Sequence, residues 1–327
     1  MKLNTAGACL SAVVLTMGVA GCSTSGSSGG RAGVDTGGTF AMTAKDTAAK
    51  ALKDGSTLKT TARTSTTNLI DYATNTSKSV DPASFAIKRN AKGGVDVTVN
   101  GKTTSFAKAD ELEEDGMAYG WERDVPDTDY KSLSSYTGTI DETLNGTGDY
   151  KYAQVWKYTL DEGAASTKGF AVVGAETRPE ALKGKANATY NGWAASETQL
   201  TTDRKTRTRV NGELELAANF DKGSVSGSVT NLSTKTRSGN QGWSAWQAAP
   251  GAIKLETAKI TGNDYDGKLS GDKDFNSAID GNLNGSTYSG RFYGPKAEET
   301  AGVLKLKGTS EGDTFAGTGA FAAKATK

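Results

Sequence analysis

Hydrophobic residues in this chain come in short runs, and most runs have the period of a strand. From Phe85 the stretch FAIKRNAKGGVDVTVNGKTTSFA alternates apolar and polar positions. Val95, Val97 and Val99 fall on one face, which predicts a half-buried strand. Asn100-Gly101 then predicts a type I′ hairpin turn, because both positions tolerate positive φ. Two further segments, YKYAQVWKYTL and KGFAVVGAET, are also strand-like. Tyr152, Val155 and Trp156 break strict alternation, which predicts either a bulge or a strand buried on both faces.

Beyond residue 184 the strand signals come at short, regular spacing. NATYNGWAAS, TRTRVNGELELAANF, GSVSGSVTNL, AIKLETAKITGN, YDGKLSG, SAIDGNLNG, STYSGRFYG, GVLKLKG and TFAGTGAF are each bounded by Gly or Asn. Leu214 and Leu216, Val225 and Val229, and Leu304 and Leu306 are same-face pairs. Small Ala and Gly elsewhere permit close packing and curvature. About eight such strands predict an up-and-down antiparallel barrel. The segments share a style without a strict repeat, which argues against a solenoid. The predicted fold class is therefore all-β: a C-terminal eight-stranded antiparallel β-barrel preceded by a β-rich region.

The first residues read differently. Lys2 precedes an apolar run from Cys9 to Ala20, too short for a membrane-spanning helix, which needs about 20 apolar residues. Val19-Ala20-Gly21-Cys22 has the form of a bacterial lipobox, with an ordinary signal peptide that contains Cys as the alternative. The expected organisation is a signal peptide at 1–21, then a lipidated Cys22 with a Gly/Ser tether at 22–38. A weakly ordered segment at 39–66 follows, in which DTAAKALKD has only a thin apolar face. A β-rich unit at 67–177, a connector at 178–183 (RPEALK) and the barrel at 184–327 complete it.

Composition narrows the chemistry. The formal net charge of +1 in 327 residues gives no electrostatic reason to expect nucleic acid. The low hydrophobic fraction of 35% suits sheets joined by tight turns better than a thick helical core. Of the two cysteines, Cys9 would leave with the signal and Cys22 would carry lipid, so no thiol or disulfide would remain. Histidine is absent. That excludes Ser-His-Asp and Cys-His catalysis and His-ligated zinc or haem. No cofactor, resident metal or phosphate loop is expected.

Several stretches carry candidate chemistry. GRFYGPKAEETAG, Gly290 to Gly302, places Glu298 and Glu299 after a Gly-Pro turn. Adjacent strand residues point to opposite faces, so an acid pair is the weaker reading and a strand–turn–strand corner the stronger. DRKTRTR puts Lys205, Arg207 and Arg209 on one strand face beside Asn211-Gly212, read as a turn. A solvated cationic strand is expected there, with contact to an anionic ligand as the alternative. Trp243 and Trp246 lie in SGNQGWSAWQAAPG, where a binding role and a plug for one barrel end are both open. Tyr119, Trp121 and Tyr130 surround a Pro-containing loop; a Tyr can ligate haem iron where His is absent, and core aromatics are the alternative. GNDYDGKLSGDKD has the carboxylate density of a calcium loop without the EF-hand spacing, so hydrated turns are expected.

GKANATYNGWAAS, ANFDKGSVSGSVTNL and GSTYSGRFYGPKAEETAG, in this order, resemble the β-barrel domain of transferrin-binding protein B-like surface lipoproteins. That family includes relatives of factor H-binding and haem-capturing lipoproteins. The motif is carried by Gly290, Phe292, Tyr293, Gly294, Pro295, Ala297, Glu298, Glu299 and Gly302, with Ala301 departing from the usual Gly. The preceding unit resembles the family's handle in position and β-content only. The resemblance implies an outer-membrane lipoprotein of a Gram-negative bacterium, anchored through Cys22 and facing outward. It implies capture of a host or environmental protein, or of haem, with an outer-membrane receptor or export partner. The candidate contacts are Trp243, Trp246, Tyr119 and Trp121. A structural or adhesion lipoprotein without a soluble ligand is the alternative, and a carboxylate-dependent glycan hydrolase a weaker one.

Overall fold

The structure is a computed structural model that describes residues 57–60, 65–71, 76–80, 84–112, 117–123, 131–136, 150–162, 165–203, 205–239 and 241–326. Cys22, the lipobox, the tether and DTAAKALKD lie outside the described residues. Two antiparallel sheets precede the barrel. The smaller contains β1 (Thr57–Thr60), β4 (Phe85–Arg89), β5 (Val95–Val99) and β6 (Lys102–Phe106), in the order β1-β4-β5-β6. The larger contains β2 (Ser65–Asp71), β3 (Thr76–Val80), β7 (Glu111–Leu112), β8 (Met117–Arg123), β9 (Lys131–Tyr136), β10 (Ala153–Glu162) and β11 (Ala165–Gly174). Its order is β3-β2-β11-β10-β9-β8-β7. Asn100 (φ 49°) and Gly101 (φ 82°) make the expected turn between β5 and β6. Thr57–Thr60, expected to be weakly ordered, is instead a strand paired with β4.

The broken alternation in β10 has a simple cause. The strand is buried on both faces, with regular register to β11 along its whole length. Trp156, Tyr158 and Leu160 pack with Phe85, Ile87, Val97 and Phe106 of the small sheet. Ala153 and Val155 face the other way, onto the barrel wall at Trp193, Ala195, Ala301, Val303, Ala320 and Ala322. The molecule is thus layered as small sheet, large sheet and barrel. Such a middle sheet loses the half-polar pattern that a solvated face would impose.

The barrel strands are β12 (Ala188–Leu200), β13 (Arg207–Asn219), β14 (Ser224–Arg237), β16 (Ile253–Thr261), β17 (Asp264–Gly271), β19 (Thr287–Tyr293), β20 (Glu299–Ser310) and β21 (Asp313–Ala325). Each pairs antiparallel with the next, and β12 pairs with β21 to close the ring. Two short strands, β15 (Gln247–Ala248) and β18 (Gly281–Asn282), attach to β14 and β20. Leu214, Leu216, Val225, Val229, Leu304 and Leu306 all enter the barrel core, as the same-face pairing requires. Tyr190, Phe220, Tyr265, Tyr288 and Phe292 fill its centre, with ring centroids 5.2–6.1 Å apart. An eight-stranded barrel has an interior just wide enough for such filling.

Three local expectations change. SAIDGNLNG is largely not a strand: Lys273–Ala278 is a short helix capped by Asp272, whose Oδ1 accepts the Phe275 N–H at 2.8 Å. Asn211-Gly212 is not a turn but an interior part of β13, at a β-bulge opposite β14. A Cβ on Gly212 would meet Val229 Cγ1 at 2.6 Å, so the glycine serves close packing, which the sequence pair alone does not distinguish from a turn. Finally, β20 begins at Glu299, three residues before the segment GVLKLKG expected to form it.

Candidate functional site

The Gly290–Gly302 stretch is the corner that its pattern predicts. β19 ends at Tyr293, the turn carries Pro295 outside the ladder, and β20 returns antiparallel from Glu299, paired with Tyr293. Gly294 sits at φ 87°, where a side chain would also run into the Tyr152 ring. Ala297 is in the left-handed region and fully buried, and its carbonyl accepts the Tyr190 hydroxyl at 2.8 Å.

The two glutamates have separate duties. Glu298 Oε2 accepts the Lys296 N–H at 2.8 Å and closes the turn. Glu299 is 2% exposed and accepts three backbone N–H groups, from Lys151 (2.6 Å), Tyr152 (2.9 Å) and Ala153 (2.9 Å). Burial raises its carboxyl above the ordinary range, and the three N–H bonds offset only part of that. Arg291, also 2% exposed, reaches Glu176 Oε1 at 2.6 Å and Asp264 through its Nε. Tyr150 donates to the Ala322 carbonyl, and Thr177 Oγ1 to that of Gly294. These polar groups join the chain leaving the large sheet to the barrel.

A second cluster lies higher on the same side of the barrel wall. Glu197, Arg209 and Lys235 are directly opposite one another across β12, β13 and β14, so they form one row on the outer face. Glu197 Oε2 accepts from Arg209 Nε at 2.9 Å. Its carboxylate also lies 3.9 Å from Arg207, 3.8 Å from Lys157 of β10 and 3.7 Å from Lys168 of β11. Burial alone would raise the Glu197 carboxyl; Lys168, Lys157, Arg209 and Arg207 outweigh it and hold the group well below the usual carboxylate range. Burial, then Arg209, pushes the Lys157 ammonium down to about 8, against the pull of Glu197. Arg207 and Arg209 are therefore not on a solvated strand: they face the large sheet and the tryptophan arm. Lys205 lies in the turn before β13 and is exposed.

Trp243 and Trp246 do not plug the barrel. β14 extends past the end of its pairing with β16, and the segment from Trp243 to Ala248 covers the edge left over. Ser244 N–H donates to the Thr236 carbonyl at 2.8 Å. Both tryptophans are half-buried. Trp243 lies under the Arg209 guanidinium at 4.3 Å, and Trp246 under the Lys235 ammonium at 4.3 Å. Such contacts contribute about 0.5–1 kcal/mol each at exposed sites. Tyr119 and Trp121 lie in β8, opposite Ser135 and Leu133 of β9, in a different sheet; their side chains and Tyr130 lie outside the described residues. The four candidate aromatics thus fall in two groups. Sequence reasoning passed over Glu197, Lys157, Lys168 and Arg291, because a charge on a strand of mixed polar and apolar residues reads as solvated until a second layer covers it. Among the described residues, no group of three or more acidic side chains is placed to hold a metal ion.

Residues 182–325 match the family of C-lobe and N-lobe β-barrels of Tf-binding protein B. No curated protein is similar to the chain. Among solved structures, the chain is similar to a double mutant of transferrin-binding protein B from Haemophilus parasuis Hp5, at 16% identity over 81% of this chain and 45% of that one, with a TM-score of 0.41. It is also similar to the isotype 1 transferrin-binding protein B of Neisseria meningitidis, at 15% identity, 80% and 44% coverage and a TM-score of 0.36. The chain spans about half the length of these transferrin-binding proteins. The haemoglobin receptor HpuA of Kingella denitrificans, in complex with human haemoglobin, is similar at 10% identity, 84% and 88% coverage and a TM-score of 0.36. The carboxy-terminal barrel of this chain, residues 182–325, is a transferrin-binding protein B-like barrel.

Proposed function

We propose that this chain is a lipoprotein of the outer membrane, anchored through Cys22 and exposed on the cell surface, that captures a ligand by contact with its outer surface. The ligand classes are a host protein and an iron source such as haem or an iron carrier. The observation that carries this reading is the transferrin-binding protein B-like barrel, whose interior is filled by its own side chains. A filled barrel leaves recognition to loops and outer faces. Trp243 and Trp246 stand half-exposed on such an outer arm, and large aromatics bury much apolar area for little ordering entropy. Tyr119 and Trp121 on β8 are the second candidate group. Within this reading, 67–177 is a handle-like unit, 178–183 a connector and 184–327 the barrel unit. The role is binding, not catalysis: Glu299 is engaged by three backbone donors and Glu298 by its own turn, so neither carboxylate has its pair.

Cells displaying the full chain, incubated with serum proteins, haem and cell-wall glycans, test the reading. Retention of a serum protein or haem is expected. Truncating a true hot-spot tryptophan to Ala then weakens binding by about 2 kcal/mol or more. Steady turnover of a glycan would overturn it, and Cys22→Ala that still takes up labelled palmitate would remove the anchor.

A further inference from the structure

The face between the large sheet and the barrel has two halves. One is apolar and sealed around Trp193 and Val155. The other is a small solvent-connected cleft lined by Lys157, Thr159, Lys168, Glu197, Gln199 and Thr318 among others. Glu197 is the one carboxylate in this lining, and four cations lie within 4.0 Å of it. Its hydrogen bond goes to Arg209. The Lys157 and Lys168 ammoniums, at 3.8 and 3.7 Å, lie beyond hydrogen-bond distance of it. Gln199 is 4% exposed, and its Nε2 has no hydrogen-bond partner among the described residues. A buried amide left so is destabilising. The cleft lining therefore carries two ammoniums to one carboxylate, with Asp161 of β10 also acting on Lys168, together with an unused N–H donor.

We propose that this cleft binds a tetrahedral oxyanion, a sulfate or phosphate group, held by the ammoniums of Lys157 and Lys168 and the amide of Gln199. The group is either a free inorganic ion or an ester carried on a glycan. The chemistry matches at each contact: two cations for a doubly charged group, and an amide for an oxygen that the lysines leave over. Arg209 and Lys235, with Trp243 and Trp246 stacked on them, continue the row outward from Glu197. An ester on a sugar would find there the cations and aromatic faces that saccharide rings use. This proposal stands apart from the capture reading above.

Calorimetric titration of the full chain with inorganic sulfate, inorganic phosphate and a sulfated disaccharide, at constant ionic strength, is the test. Saturable binding of at least one is expected. Lys168→Met and Gln199→Leu should each weaken it tenfold or more. Glu197→Gln, which removes the carboxylate facing the anion, should tighten it. Preference for the disaccharide, lost in Trp246→Ala while inorganic sulfate still binds, identifies the ester as the source; equal binding of the inorganic ions identifies the free anion. The proposal is overturned if none of the three binds, or if Lys168→Met and Gln199→Leu bind as the parent does.

Discussion

Glu299 Oε2 accepts the backbone N–H of Ala153 at 2.9 Å, across 146 residues of chain. The same carboxylate takes the N–H groups of Lys151 and Tyr152, so the first residue of β20 holds the start of β10 in place. An apolar replacement would leave these donors without their acceptor, two of them part-buried and one buried. Glu299→Ala is therefore expected to destabilise the chain by about 3 kcal/mol or more. Glu298→Ala, which frees one exposed turn N–H, should destabilise it by less than about 1 kcal/mol. Urea unfolding of both variants checks this; equal losses would contradict the assignment.

Arg291 is the cationic partner at the same junction, set between Glu176 of the connecting chain and Asp264 of β17. Arg291→Met removes the cation shared by two part-buried carboxylates and is expected to destabilise by about 3 kcal/mol. Arg291→Lys should recover only part of the loss, because an ammonium cannot offer the planar fork that reaches both acids. Thermal unfolding of the pair of variants decides it, and full recovery by Lys would refute the geometric argument.

The Glu197 cluster predicts a pH dependence. Its folded carboxyl lies well below the ordinary value of about 4.3, so the unfolded chain binds the proton first as pH falls. Its contribution is present in full above about pH 5 and fades as acid is added below that. Glu299, raised by burial, works in the opposite sense: its ionisation subtracts stability as pH rises through and just above the ordinary glutamate value. Glu197→Gln should destabilise by about 2 kcal/mol or more at pH 7, since it removes the carboxylate that four cations share. It should also flatten the loss below about pH 4.5. Urea midpoints between pH 3 and pH 8 give the comparison. A parallel profile in both proteins would rule the cluster out.

The barrel closes on itself, yet part of its outer wall is apolar where the large sheet covers it. Trp193, Ala195, Val303, Ala320 and Ala322 are all buried there. A fragment of residues 184–327 is expected to fold cooperatively with β-type circular dichroism, because no strand edge in the ring depends on the preceding sheets. It should also self-associate or bind a hydrophobic dye, since the uncovered patch would face water. A fragment that stays unfolded would show that the barrel needs its cover. One that folds as a monomer without dye binding would show that the patch is less exposed than the layering implies.

Alternation and turn chemistry determined much of this protein in one dimension. Val95, Val97 and Val99 with Asn100-Gly101 specify their hairpin, and the same-face leucines specify which side of each barrel strand is inside. Period two and positive-φ turns are properties of neighbouring residues, so the chain spells them directly. The corner at Gly294-Pro295 was legible for the same reason: Pro295 cannot donate to a ladder. What faces the outside of the barrel was not legible. Glu299 and Glu197 look like ordinary solvated strand acids until the large sheet is laid over them, and Asn211-Gly212 looks like a turn until β14 packs against it. Lys157 and Lys168 meet Glu197, and Trp243 meets Arg209, only because closing the ring and stacking the sheet bring distant strands together. Such partners are chosen by packing between layers, and no local spacing in the sequence encodes the distance between two layers.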